Sequence, residues 1–123
     1  MEKQLPVMEH ILNLSETMGE GLQHIARLFH EGKFENGLPL FEDVIQAFTT
    51  IEQSFASLSS NMEALGIVQE EQEKFRTALD YIVTQMESGA HEQSKEVLHF
   101  TVLPRWRKWK GALEAAFRSF LVS

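Results

Sequence analysis

Two apolar series run through residues 34–65 with a step of seven: Phe41, Phe48, Phe55 and Met62 in one, Val44, Ile51, Leu58 and Leu65 in the other. Seven residues are two turns of an α-helix, so each series lies along one line of a helix, and the two together form a broad apolar stripe. No strand produces that spacing. About thirty helical residues at ~1.5 Å each give a rod of roughly 45 Å, long for an ordinary globular domain. Such a rod is the spine of a helical bundle, and the rest of the chain is expected to pack along it.

The other 90 or so residues supply what a bundle needs. The chain has 123 residues, 43% of them hydrophobic and 24% charged, the make-up of a single folded domain spanning residues 1–123. Three Pro and seven Gly leave little material for turns, which favours few, long elements. The absence of Cys removes disulfides, thiolate metal sites and cysteine nucleophiles together, and fits a reducing compartment. The start, Met1-Glu2-Lys3-Gln4-Leu5-Pro6, has no basic stretch followed by an apolar run, and no segment reaches the roughly eighteen apolar residues of a membrane span. The sequence therefore predicts a cytoplasmic protein, neither secreted nor membrane-inserted.

The first helix is expected from Pro6, tolerated in a first turn because its missing N–H has no intrahelical partner there, to about Glu31. Met8, Ile11, Ser15, Met18, Leu22, Ile25 and Phe29 form its seam at alternating steps of three and four, with Ser15 the one polar member. Gly19 and Gly21 interrupt its middle and mark either a close backbone approach or a hinge. Gly32 suits a left-handed cap, Asn36 an N-cap for the long helix, and Pro39 the first turn of that helix. Gly66 ends or bends it. A third helix is expected over residues 68–88 with Val68, Phe75, Ala78, Leu79, Ile82 and Met86 inward, and Gly89 repeats the stop. The fourth runs from about Glu92 with Val97, Leu98, Val102, Trp109, Leu113, Ala116 and Phe120 inward, and Pro104 inside it predicts a kink over residues 100–104.

Leu22, Ile25, Gly32 and Glu35 recur at one constant offset as Leu79, Ile82, Gly89 and Glu92, a faint repeat of one plan: helix, glycine stop, turn, longer helix. Two such αα-hairpins bury their stripes most simply as an all-α, antiparallel up-down four-helix bundle. The rival is a single rod of about fifty residues through Gly66, whose stripe would demand a dimer to cover it.

Chemistry concentrates in Arg105-Trp106-Arg107-Lys108-Trp109-Lys110. Residues 1–104 carry seventeen acidic and six basic side chains (−11), residues 105–123 one acidic and five basic (+4), so an acidic body argues against general nucleic-acid affinity and only the tail opposes it. The cluster either grips an anionic partner or is neutralised internally: a hairpin turning near Gly89 sets Lys108 beside Glu71 and Arg105 beside Lys74, with the indoles in the core. A di-metal bundle needs two Glu-x-x-His pairs plus two further carboxylates. Glu96-Val97-Leu98-His99 is one pair, Glu20 and His24 are a half-match of different spacing, and Glu42 is a further carboxylate; no second Glu-x-x-His exists. No glycine-rich phosphate loop or nucleophile elbow is written, so no enzyme is expected and no cofactor is implied.

In layout, residues 21–55 followed by residues 78–113, with an aromatic-rich last helix, resemble the small helical export chaperones of bacterial flagella, and equally the small uncharacterised helical proteins of bacteria. Those chaperones are acidic, cytoplasmic, of similar length, and hold a partner's helical tail in a bundle groove; the resemblance is architectural and assigns no residue. It agrees with the first functional expectation, protein association, either with a second copy or by accepting an amphipathic segment, through the apolar surplus of Phe41, Phe48 and Phe55 and the segment holding Arg105, Trp106, Arg107, Lys108, Trp109 and Lys110. The alternatives are a metal or small-ligand bundle around Glu20, His24, Glu42, Glu96 and His99, and a charge-driven binder using residues 105–110.

Overall fold

A computed structural model describes residues 4–59 and 65–121, and every regular element among the described residues is helical. α1 spans Leu5–His30, α2 Phe34–Ser59 and α3 Gly66–Glu87. The fourth rod is written in three consecutive pieces: α4 His91–Val97, a π-helical stretch Leu98–Val102, and α5 Leu103–Leu121. The two glycine stops do the same work. Gly32 and Gly89 stand at φ +77° and +78°, a conformation costly for other residues. Each is followed by the paired backbone bonds that close a helix end: Gly32 N–H to Phe29 O at 3.1 Å with Lys33 N–H to Leu28 O at 2.8 Å, then Gly89 N–H to Met86 O at 3.1 Å with Ala90 N–H to Gln85 O at 3.0 Å.

α2 begins two residues before Asn36, which is therefore not its N-cap; Pro39 falls inside the helix and not in its first turn. The reason is Phe34, whose ring lies 4.9 Å from that of Phe29 and is stacked at 4.3 Å on His91, so that aromatic packing draws the chain into helix early. Met62, the last member of the first heptad series, lies outside the described residues.

Contacts between neighbouring rods run in opposite chain directions. On α1 and α2, Gly37 sits on Phe29 while, further along, Val44 sits on Gly21. On α2 and α3, Arg76 bonds Glu52 across a gap of 24 residues. In one straight helix those two residues would be about 36 Å apart. The single-rod alternative is thereby excluded: α2 and α3 pack side by side. Trp109 of α5 meets Gln72 of α3, and Trp106 meets Ser15 of α1, which closes the ring of four rods.

The centre is aromatic. Trp109 is fully buried between Phe48 and Phe75, with ring centroids 5.3 and 5.2 Å away, and its indole N–H donates to Gln72 Oε1 at 3.2 Å. The whole α1 seam is buried, Ser15 included, whose hydroxyl donates to Leu12 O at 2.7 Å. Gly19 answers the choice between hinge and close packing. A β-carbon there would lie 2.1 Å from Trp106 Cζ2, so the indole lies flat against the bare backbone of α1. Its N–H donates to Ser15 O at 2.9 Å, the carbonyl one turn back that a side chain at position 19 would cover.

The disturbance expected at Pro104 takes the form of the π stretch, in which Leu103 N–H reaches back five residues to Leu98 O. A widened turn immediately before the proline makes room for its ring. Leu103 and Phe117 are buried, whereas Val97, Ala116 and Phe120, which the plain helical period placed inward, are only half-buried.

Candidate functional site

The apolar residues expected to meet a partner are consumed inside this one chain. Phe41, Phe48 and Phe55 are 2%, 0% and 2% exposed, and Trp109 is 0% exposed, so none of the four offers a surface. The apolar surplus inferred from two adjacent stripes was an overcount, because α2 has neighbours on both sides: Phe41 and Val44 meet Phe29 and Gly21 of α1, and Phe48 meets Phe75 of α3 and Trp109 of α5. Trp106 is half-buried on α1.

The basic residues of the same segment separate by face. Lys110 lies 5.6 Å over the Trp106 ring, 4.0 Å from Glu16 Oε1 and 3.6 Å from Glu114 Oε1. Arg105 does stand beside Lys74, as the hairpin register predicts. The internal neutralisation does not follow, for Glu71 pairs with Lys74 of its own helix at 3.7 Å and not with Lys108. Among the described residues no ion pair is made by Arg105, Arg107 or Lys108.

The five Glu and His residues considered as metal ligands are not brought together. Glu20 and His24 line a groove between α1 and α2 along with Asp43, Glu42 faces the seam between α2 and α3, and His99 lines a third groove with His30 and Lys95. Glu96 is exposed and lines none of these three grooves. Among the described residues no three His, Asp or Glu side chains are grouped to hold a metal ion.

The seam between α2 and α3 carries a depression. One end is clipped shut: the Arg76 guanidinium bonds the Glu52 carboxylate through Nη2 and, at 3.2 Å, through Nε, and donates to Thr49 Oγ1 at 3.1 Å. It also lies 4.9 Å over the Phe48 ring, with Asp80 at 3.6 Å. The hydrogen bonding of the guanidinium to Glu52 is the chief reason its proton is held above the usual arginine range, with the charges of Glu52 and Asp80 adding to it against burial. Towards the other end the seam opens into a groove of about 370 Å³. Leu38, Phe41, Ile45, Val83 and Met86 supply its apolar walls, and Glu42, Asp80 and Glu87 its polar ones; among the described residues no cation lines it.

Of the residues lining this groove, the sequence points to Phe41 and Glu42 as functional candidates and to Met86 as a core residue. A signal for the rest was present: Leu38 and Ile45 form a third line on α2 with the same step of seven, continued by Glu52, and Arg76 and Val83 repeat that step on α3. Among the described residues no helix is long and apolar enough to cross a membrane. A protein-family model described as "Domain of unknown function (DUF8042)" matches residues 6–112. No curated protein and no solved structure shows significant similarity to the chain.

Proposed function

We propose that this chain, which belongs to that family of domains of unknown function, is a protein-association module whose α2–α3 groove takes up an amphipathic helix with basic residues along its edges. The observation that carries the reading is the groove's composition: five apolar residues between two helices, three carboxylates and no cation. An apolar trough two helical turns long, from Leu38 to Ile45, suits side chains repeating at three and four positions on an incoming helix. Burying a few aliphatic side chains contributes about 1.5–3 kcal/mol each before the costs of association, which places the affinity in the micromolar range. The carboxylates select a basic partner and speed its encounter more than they tighten it.

The reading is tested with a fluorescent synthetic helix bearing apolar residues at that spacing and flanking lysines, titrated against the whole chain. Saturable binding with a Kd of about 1–100 μM is expected, weakened about tenfold by Glu42→Lys with Glu87→Lys, two exposed positions where the change leaves the core intact. Absence of binding, or affinity indifferent to both charge reversals, would remove the proposal.

A further inference from the structure

Arg105 and Trp106 are adjacent in sequence yet serve different neighbours, since successive residues of a helix point about 100° apart. Trp106 lies on α1, whereas Arg105 lines a groove of about 280 Å³ between α3 and the fourth rod, with Lys74, Thr77, Ala78, Tyr81 and Thr101. Lys74, Thr77, Ala78 and Tyr81 share one face of α3; Thr101, from the π stretch, and Arg105 form the facing wall. The two cations stand on opposite sides of a groove that, among the described residues, no carboxylate lines.

That arrangement is unexpected in a chain of net charge −7 with eighteen carboxylates. Arg105 is half-buried, and among the described residues it makes no ion pair, although carboxylates outnumber cations throughout the body of the protein. Lys74 is paired with Glu71 at 3.7 Å, wider than a hydrogen bond, so its half-exposed ammonium keeps donors for a further acceptor. A phosphate, with three acceptor oxygens, suits a forked guanidinium and a mobile ammonium together. The Thr77 hydroxyl already donates to Glu73 O at 3.0 Å, while the hydroxyl of Thr101, on the facing wall, is available to an anion. At the far end Tyr81, 51% exposed, presents an aromatic ring about 10 Å along α3 from Lys74.

We propose that this α3–α5 groove binds a phosphate monoester whose flat ring stands a sugar's length from its phosphate, a nucleoside monophosphate, with the phosphate between Arg105 and Lys74 and the base on Tyr81. Stacking on an aromatic side chain is tolerant of base identity, so the site distinguishes presence of a base more than its kind. The site lies on a different seam from the α2–α3 groove and does not depend on it.

Titration of the full chain with adenosine monophosphate at low ionic strength, followed by backbone amide NMR, tests the assignment. Saturable shifts confined to amides near residues 74–81 and 101–105 are expected, with a Kd of about 1 mM or tighter. Inorganic phosphate and ribose 5-phosphate are expected to bind about tenfold more weakly, Arg105→Gln to weaken adenosine monophosphate about tenfold, and Lys74→Gln and Tyr81→Ala, both at exposed positions, about threefold or more. The assignment is overturned if these amides show no saturable shift by about 10 mM ligand, if inorganic phosphate matches adenosine monophosphate, or if folded Lys74→Gln and Tyr81→Ala variants bind as well as the parent.

Discussion

Position 19 decides how closely the last helix approaches the first. Alanine there would gain up to about 1 kcal/mol in helix propensity, but its β-carbon would stand 2.1 Å from Trp106 Cζ2 and sever the approach that lets the indole reach Ser15 O. Overpacking at such a contact costs about 1–3 kcal/mol, so Gly19→Ala is expected to lower the midpoint of chemical denaturation. Gly111 is the contrasting case: it is exposed in α5 and a β-carbon would meet nothing, so Gly111→Ala is expected to stabilise by about 0.5–1 kcal/mol. Gln72 adds a polar example. Replacing it by Leu removes the acceptor of the fully buried Trp109 N–H, a loss of about 1–3 kcal/mol by the same measurement. These pairings were illegible in the sequence for a plain reason. Trp106 meets Ser15 across 91 positions and Trp109 meets Gln72 across 37, and no local rule links residues so far apart. What the sequence did reveal was two glycines, Gly19 and Gly21, interrupting the middle of an amphipathic helix, hence the choice between packing and hinge.

At the scale of the helices, local rules sufficed for existence and were weakest at the ends and the breaks. Heptad steps, three-and-four seams and the two left-handed glycines marked four rods, but Phe34 joins α2 through contacts with Phe29 and His91, which neither turn residue foretells. Pro104 announced a disturbance without saying that it would be met by a π stretch, and the plain helical period did not anticipate that Phe117 is buried while Phe120 is only half-buried. If the π stretch already accommodates the proline ring, Pro104→Ala should change stability by less than about 1 kcal/mol; a gain approaching the roughly 3 kcal/mol cost of an interior proline would show a strained helix instead. Between α2 and α3 the Arg76 clip is the decisive link, and Arg76→Met is expected to cost about 1–2 kcal/mol. Its pH dependence follows from the raised pKa: stability from a group whose folded pKa lies above the unfolded one is fully present below the unfolded value and is lost only as pH rises through the folded value. For an arginine that window is strongly alkaline, so the stability difference between parent and Arg76→Met should be the same at pH of about 7 and about 10. A difference that shrinks across that interval would mean that the clip is not the guanidinium pair.

For the molecule as a whole, the same apolar periodicity that made the fold legible misled about the surface. Phe41, Phe48 and Phe55 were read as surplus because a stripe on one helix carries no record of how many neighbours will cover it; three rods cover this one. What those neighbours leave open, and what the proposed association would use, is the Leu38, Ile45 and Val83 groove with its carboxylates; the cationic Lys74 and Arg105 groove lies on another seam. A core closed within one chain needs no second copy. Sedimentation equilibrium of the purified protein over a wide concentration range tests this most directly: a single folded species of 14.1 kDa is expected throughout, whereas a dimer that persists on dilution and unfolds as it dissociates would contradict it.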